Sequence, residues 1–175
     1  MAILKVARLG HPVLRQQAGP VPVGDIRSAG VQRLIDDMIE TMNEYHGIGL
    51  AASQVHESLR LFVAGSMDEE HGFPLIVLAN PEITVAGPEV VEDWEGCLSV
   101  PDVRGRVPRA RHIHVRGLDR QGQKIEMKLS GFSARVIQHE TDHLDGVLFF
   151  DRMRTFESLA FLDEYARYWS KDRGD

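Results

Sequence analysis

The sequence has little of what would tie it to an oxidising compartment or a membrane. It contains one cysteine among 175 residues, which excludes an internal disulfide framework and suits a reducing compartment. No apolar run approaches the roughly 18 residues of a membrane span. Lys5, Arg8 and Arg15 interrupt the apolar N-terminus, which therefore lacks a signal-peptide core. We expect a cytoplasmic protein with no membrane partner.

An excess of positive charge is missing as well. The formal net charge is −6 at pH 7, so we expect no specific nucleic-acid partner. Hydrophobic residues make up 43% and charged residues 26% of the chain, which is typical of a globular protein and excludes disorder of the whole chain. No repeat or linker divides the sequence, and its length suits one domain, which we expect to span residues 1–175.

Apolar residues recur at helical spacing in three parts of the chain. This pattern predicts one helix over residues 25–45 and a second that begins near residues 130–133 and ends near residue 144. A third helix is predicted after Thr155, with an inner face formed by Phe156, Leu159, Leu162, Tyr165, Ala166 and Trp169.

The middle of the chain has the patterns of strands. Apolar runs at residues 61–64 and 75–79 predict two strands, and alternating residues on both sides of a turn at 119–122 predict a hairpin over residues 112–130. Residues 103–116 carry five arginines and no acid, which is typical of a solvated strand edge, with RNA contact as the alternative. Helices flanking antiparallel strands predict the α+β class.

The residues that point to chemistry are His139, Glu140 and His143, an HExxH pattern in the second predicted helix. Positions i and i+4 share one helix face, so both imidazoles can bind one cation. Glu140 lies beside that face, where its carboxylate can act on a water molecule without being a ligand. Chance gives only about 0.03 such patterns in a chain of this composition, so two unrelated surface histidines are the weaker interpretation.

A catalytic site of this kind usually takes a third protein ligand. The longer metzincin pattern fails, because Phe149 stands where its last histidine would be. Glu164 and the single thiol, Cys97, remain as candidates. Glu164 would indicate a metallo-endopeptidase, and a fourth protein ligand would indicate a metal-stabilised binding domain without catalysis.

Three segments together resemble the peptide deformylase family: GIGLAASQ at 47–54, EGCLS at 95–99 and QHETDH at 138–143. The resemblance covers roughly residues 10–150. It implies a compact single α+β domain of antiparallel strands packed around a central metal-bearing helix. It also implies a metal-dependent hydrolase that removes the N-formyl group from formylmethionine of newly synthesised proteins and releases formate.

The resemblance further implies a role for each matching residue. The metal would be held by Cys97, His139 and His143, and Glu140 would be the acid and base. Gln54 and the Leu98 N–H would face the developing oxyanion, and Ile48, Gly49 and Arg104 would contact the substrate. Independently of the resemblance, Glu95 and Arg109 are candidates for an ion pair that fixes the loop of Cys97, with two separate surface charges as the alternative.

The implied cofactor is one Fe²⁺ per chain, for which Zn²⁺, Ni²⁺ or Co²⁺ can substitute, and the implied partners are nascent formylmethionyl polypeptides. Transient ribosome association is a further expectation, although residues 155–175 hold five acidic and three basic residues and lack a basic docking helix. Arg135 stands where some bacterial members have an apolar residue near the methionine pocket. The Ala134-Arg135 pair resembles the organellar-type branch of the family. The sequence therefore does not decide which residues form the wall of the methionine pocket, or whether the protein is bacterial or organellar in type.

Overall fold

The computed structural model describes residues 2–66 and 72–170, which form three α-helices and eight β-strands. The helices are α1 (Ala29–Glu44), α2 (Gly131–Leu144) and α3 (Leu162–Tyr168). The strands are β1 (Gly49–Ala51), β2 (Leu61–Ser66), β3 (Phe73–Val85), β4 (Val90–Cys97), β5 (Val100–Ala110), β6 (His112–Leu118), β7 (Lys124–Ser130) and β8 (Ala160–Phe161). Among the described helices, none is both long and apolar enough to cross a membrane.

The strands form two antiparallel sheets, which confirms the α+β prediction. The larger sheet has the order β1-β2-β3-β6-β7, and the smaller has the order β4-β5-β8. β6 and β7 form the predicted hairpin, with Val115 opposite Met127. The smaller sheet positions the site, because β4 and β5 are joined by the two-residue turn that follows Cys97.

Helix α1 begins four residues later than its apolar pattern predicts. The backbone N–H of Asp25 donates to the carbonyl of Pro22 at 2.9 Å and closes a 3-10 turn ahead of the helix. The helix starts where Ser28 Oγ accepts a hydrogen bond from the Val31 N–H at 3.3 Å. Its buried face, which includes Ile35 and Met38, packs into one of the hydrophobic clusters against the larger sheet.

Helix α2 lies between the two sheets. Ala134, Ile137 and Leu144 pack against Phe62 and Ile113 of the larger sheet in one buried cluster. The opposite side of α2 makes polar contacts with the β4–β5 pair, described below. The prediction of antiparallel strands around a central helix is therefore confirmed, and the helix ends at Leu144 as the apolar pattern indicates.

The predicted third helix is wrong over its first half. Residues 160–161 form strand β8 on the open edge of β5, where Ala160 pairs with Arg104, and the N–H of Arg106 donates to Ser158 Oγ at 3.0 Å. Phe156 and Leu159 are 67% and 42% exposed, so they are not inner residues. Backbone pairing with an unoccupied strand edge outweighs the helical period here.

At the end of this segment, Leu162, Ala166 and Trp169 of the predicted inner face are also exposed, and only Tyr165 is partly buried. Helix α3 starts at Leu162, and the ring of Tyr165 packs against Trp94 of β4 with centroids 4.8 Å apart. Trp169 contacts the same indole at 5.9 Å. Two aromatic contacts therefore anchor α3 to the smaller sheet, next to the candidate active site.

Candidate active site

Two elements bring three metal-ligating side chains together. Cys97 ends β4, whereas His139 and His143 lie on successive turns of α2. One ligand atom from each residue lies within 4.8 Å of the others, and Cys97 Sγ is 3.2 Å from His143 Nε2. A thiolate and two imidazoles in this arrangement can hold one metal ion and leave room for a further ligand.

The surroundings of these three residues fit a cation. His139 Nδ1 lies 2.9 Å from Glu95 Oε2, which leaves Nε2 of the same ring for a metal. Burial raises the pKa of the Cys97 thiol, but the charge of His143 and hydrogen bonds from His139 and His143 outweigh burial and hold that pKa well below its usual range. The site therefore favours the thiolate, which is the form of cysteine that binds metals.

Glu140 is placed beside the ligand cluster and is almost fully buried. A Cβ on Gly49 would overlap its carboxylate, so only glycine at position 49 leaves space for this side chain. Within residues 2–66 and 72–170, Glu140 Oε2 has no hydrogen-bond partner. Burial raises the pKa of Glu140 to about 7, against the charges of His139 and His143. A carboxylate of this pKa can both take and return a proton near neutral pH.

Gln54 and Leu98 lie on the other side of Cys97. Gln54 Oε1 accepts a hydrogen bond from the Ala51 N–H at 2.8 Å, which fixes the amide. Its Nε2 donates to Ser99 Oγ at 3.1 Å and lies 3.5 Å from Cys97 Sγ. Leu98 is the first residue of the turn between β4 and β5. The amide donor of Gln54 therefore points at the cysteine that the turn presents.

A cavity of about 700 Å³ connects these groups. Its wall also contains apolar and aromatic side chains that the sequence did not single out, namely Trp94, Phe132 and Val136. His143 and Arg109 are not part of the wall. The cavity does contain nine of the predicted site residues: Ile48, Gly49, Gln54, Glu95, Cys97, Leu98, Arg104, His139 and Glu140.

Arg104 occupies a space that a glycine provides. A Cβ on Gly96 would overlap the guanidinium of Arg104, so the glycine of the EGCLS segment allows this side chain to lie across β4. The guanidinium donates to the carbonyl of Val103 at 3.1 Å and faces the cavity. A guanidinium at the cavity wall can donate hydrogen bonds to the carbonyl groups of a bound peptide.

A buried ion network lies behind the metal-ligating residues. Arg109 binds Glu95 with two hydrogen bonds, Nε to Oε1 at 2.9 Å and Nη2 to Oε2 at 3.0 Å. Its Nη1 donates to Asp142 Oδ2 at 2.5 Å, and Asp142 also binds Arg152 at 2.8 Å. Burial raises the pKa of Glu95, but hydrogen bonds from His139 and Arg109 outweigh it, so the carboxyl stays ionised.

The interpretation of residues 103–116 as a solvated edge is wrong for Arg109, which is only 6% exposed. Alternation along β5 could have indicated this, since Arg109 lies two residues after the fully buried Val107. Sequence reasoning placed Arg135 near the methionine pocket but did not foresee that its guanidinium joins the network at Glu95. Its spacing of four residues before His139 places the two on one face of α2, which is the signal that was available.

The alternative third ligand lies elsewhere. Glu164 is a half-exposed residue of α3 and pairs with Arg167 at 3.4 Å. In the described part of the chain, the group able to hold a metal contains Cys97, His139 and His143, and neither Glu164 nor a fourth protein ligand belongs to it. This arrangement does not support a metallo-endopeptidase, in which Glu164 would be the third ligand. It also does not support a metal-stabilised binding domain, which would have four protein ligands.

An HExxH helix beside a cysteine of a β-hairpin, set in an α+β fold, defines a metal-dependent hydrolase. The chain belongs to the polypeptide deformylase family, whose model matches residues 3–158. It is 42% identical to peptide deformylase 2 of Nostoc sp., with 97% of each chain covered. It is 45% identical to the peptide deformylase of Syntrophobacter fumaroxidans, over 98% of this chain and 96% of that one.

Solved structures show the same relationship. A crystal structure of the class I type b peptide deformylase from Acinetobacter baumannii with Met-Ala-Ser bound has a TM-score of 0.83 and 39% identity, covering 87% of this chain and 99% of that one. The enzyme from Thermus thermophilus has a TM-score of 0.77 and 46% identity, covering 86% and 85%. The chain is thus a metal-dependent hydrolase that removes the formyl group from N-terminal formylmethionine and acts on nascent formylated polypeptides.

Proposed function

We propose that Cys97, His139 and His143 hold the metal ion and that Glu140 is the acid and base of deformylation. The convergence of the three ligand atoms within 4.8 Å carries this proposal. The unpartnered Oε2 of Glu140, judged over residues 2–66 and 72–170, supports the second role because a buried carboxylate oxygen needs a water molecule or a substrate as its partner. Glu95 and Arg109 orient His139 from behind.

Each side chain has one task in the reaction. When bound, the metal lowers the pKa of water and polarises a carbonyl. Glu140 takes the proton of the attacking water and returns it to the departing methionine nitrogen. Between these two proton transfers, negative charge develops on the formyl oxygen, to which Gln54 Nε2 and the Leu98 N–H would donate hydrogen bonds. Each such donor contributes about 3 kcal/mol by analogy with other oxyanion sites.

The cavity suits a chain that begins with formylmethionine. Ile48, Phe132 and Val136 provide apolar wall for the methionine side chain, while Gly49 and Arg104 lie where the peptide backbone would pass. The Met-Ala-Ser complex of the Acinetobacter baumannii enzyme supports this assignment, because that peptide begins with methionine. The products are formate and a peptide with a free amino terminus.

The wider setting is proposed on the same basis. We assign residues 1–175 to one catalytic domain in the cytoplasm, where formylated chains are synthesised, and the bacterial origin of the relatives supports this. Transient ribosome association remains a prediction. The described C-terminal helix α3 offers little electrostatic support for it, since Asp163 and Glu164 precede its one basic residue, Arg167.

The direct test of this function is formate release from a short formyl-methionyl peptide. We expect turnover that a strong chelator abolishes and added Fe²⁺ or Ni²⁺ restores, because the ligand set holds an exchangeable ion. An acetyl-methionyl peptide of the same sequence serves as the substrate control. Cleavage of an internal peptide bond with no release of formate would contradict the proposal.

We further propose Fe²⁺ as the working metal. Thiolate and imidazole bind zinc well, but the thiolate donates charge to the ion and weakens its pull on a carbonyl oxygen. Zinc also prefers four ligands, whereas iron, nickel and cobalt accept a fifth more readily. We therefore expect zinc to bind but to support turnover about tenfold or more slower than Fe²⁺, Ni²⁺ or Co²⁺.

Reconstituting one metal-depleted preparation with each ion and measuring formate release checks this expectation. The iron form should also lose activity in air, since both Fe²⁺ and the Cys97 thiolate are oxidisable. Equal or faster turnover with zinc would contradict the assignment of iron and would leave the deformylase activity unaffected.

A further inference from the structure

Arg135 is a buried cation on the central helix that the proposed reaction does not use. It lies four residues before His139 on α2 and is 6% exposed. Its Nη1 donates to Glu95 Oε1 and to the carbonyl of Val107, both at 2.7 Å. Its Nη2 donates to the carbonyl of Val91 at 2.6 Å. One guanidinium from α2 therefore binds both strands of the β4–β5 pair.

The carboxylate of Glu95 is held from two opposite elements. Arg109 of β5 and Arg135 of α2 meet at the same oxygen, Oε1, at 2.9 and 2.7 Å. The other oxygen, Oε2, faces His139 Nδ1 at 2.9 Å. Because Arg109 Nη2 also donates to Oε2 at 3.0 Å, the two arginines together fix both carboxylate oxygens and hence the partner that orients the His139 ring.

The same contacts set a distance that the metal site requires. Two of the proposed ligands, His139 and His143, belong to α2, whereas Cys97 ends β4. The connectivity of the chain does not by itself fix the distance between α2 and the β4–β5 hairpin. Arg135 spans this gap with three short hydrogen bonds in the planar geometry of a guanidinium, which restricts sliding of the helix along the strands.

We propose that Arg135 is a positioning residue for the metal site. It orients Glu95, and through Glu95 the His139 ring, and it holds α2 at the spacing from β4 that lets Cys97 complete the ligand set. This inference rests on the proposed roles of Cys97, His139 and His143. It answers the question that the sequence left open at position 135, because the charged group turns into the ion network while the side chain still lines the cavity.

The informative variant is Arg135→Met, which keeps a long side chain and removes every donor. Loss of an outer partner of a metal ligand typically weakens metal affinity by about 10- to 100-fold, and we expect that range here. The measurement is competition between cobalt-loaded protein and a chelator, followed by the thiolate-to-cobalt absorption. Because Arg135 also lines the cavity, turnover is not the primary readout.

Gln138→Leu is the matched control. Gln138 also joins α2 to β5, since its Nε2 donates to the Ala110 carbonyl at 2.8 Å and its Oε1 accepts from the Ala110 N–H at 3.1 Å. Within residues 2–66 and 72–170, its hydrogen bonds go to the backbone of Ala110 and Ala134 and none goes to Glu95. We expect Gln138→Leu to lower the thermal midpoint of unfolding while metal affinity stays within about threefold of the parent chain.

Arg135→Lys gives a second, milder variant. Lysine keeps the charge but cannot present a planar fork to three acceptors, so we expect a metal affinity between those of the parent chain and Arg135→Met. If Arg135→Met does not fold, Arg135→Lys carries the test and should still bind metal at least about threefold more weakly than Gln138→Leu. This graded order is not expected from a loss of fold stability alone.

Two results would overturn the proposal. Arg135 is not a positioning residue if Arg135→Met retains cobalt as well as the parent chain. If Arg135→Met does not fold, the same result with Arg135→Lys leads to the same conclusion. The same conclusion follows if Gln138→Leu loses metal to an equal degree. By contrast, absence of the thiolate-to-cobalt absorption in the parent chain itself would overturn the proposed ligand set, and the inference about Arg135 with it.

Discussion

Replacing Glu140 with glutamine should lower formate release at least 100-fold and leave about one metal ion per chain. Glutamine has nearly the same shape but cannot accept the proton of the attacking water, and loss of a general acid–base group typically costs 10²- to 10⁴-fold in rate. The proposed ligands are Cys97, His139 and His143 and do not include Glu140, so metal content should persist. Metal analysis and formate release on the same preparation measure both quantities.

An exposed carboxylate provides the control for this substitution. Glu126 forms a surface ion pair with Arg116 at 3.2 Å on the β6–β7 hairpin, and Glu126→Gln should leave turnover unchanged. Glu140→Gln preparations that lose their metal would indicate that Glu140 is a ligand. Near-normal turnover would indicate that another group handles the proton.

Replacing Cys97 with alanine should remove most of the bound metal and, with it, at least 100-fold of the activity. The thiolate is the only one of the three ligands that brings negative charge, so two imidazoles alone would hold the ion weakly. Alanine also fits the buried position without adding volume. Metal content by elemental analysis, together with formate release, checks this result.

Glu164→Ala separates the two ligand sets that the sequence allows. Glu164 is half-exposed on α3 and forms a surface ion pair with Arg167, so its loss should change metal content and turnover little. A reversed pattern, with metal lost from Glu164→Ala and kept by Cys97→Ala, would favour the endopeptidase set. Circular dichroism of both variants shows whether a loss of metal or of turnover results from unfolding.

Much of the fold followed from local patterns. The end of α2 at Leu144 and the hairpin around residues 119–122 agree with the structure, because periodicity and turn chemistry act over a few neighbouring residues. The C-terminal segment failed for the opposite reason. Residues 160–161 pair with β5, an edge more than fifty residues earlier in the chain, and no local pattern records that this edge is open.

The candidate site likewise has one part that local sequence predicts and another that only the fold decides. The pairing of His139 with His143 is a property of helix spacing alone, and it was predictable without a fold. Sequence reasoning left Glu95 and Arg109 as either an ion pair or two separate surface charges. The structure makes them a buried ion pair between the neighbouring strands β4 and β5, in which Arg109 also binds Asp142 of α2.

The sequence by itself determined that His139, Glu140 and His143 lie together, because the 3.6-residue turn of one helix places them there. It also determined the family, through three short segments. Only the tertiary structure decided how Cys97, 46 residues before His143, reaches that helix, and that Arg135 turns inward to bind Glu95. Contacts between distant segments depend on how sheets pack on a helix, and burial makes such contacts strong by excluding competing water.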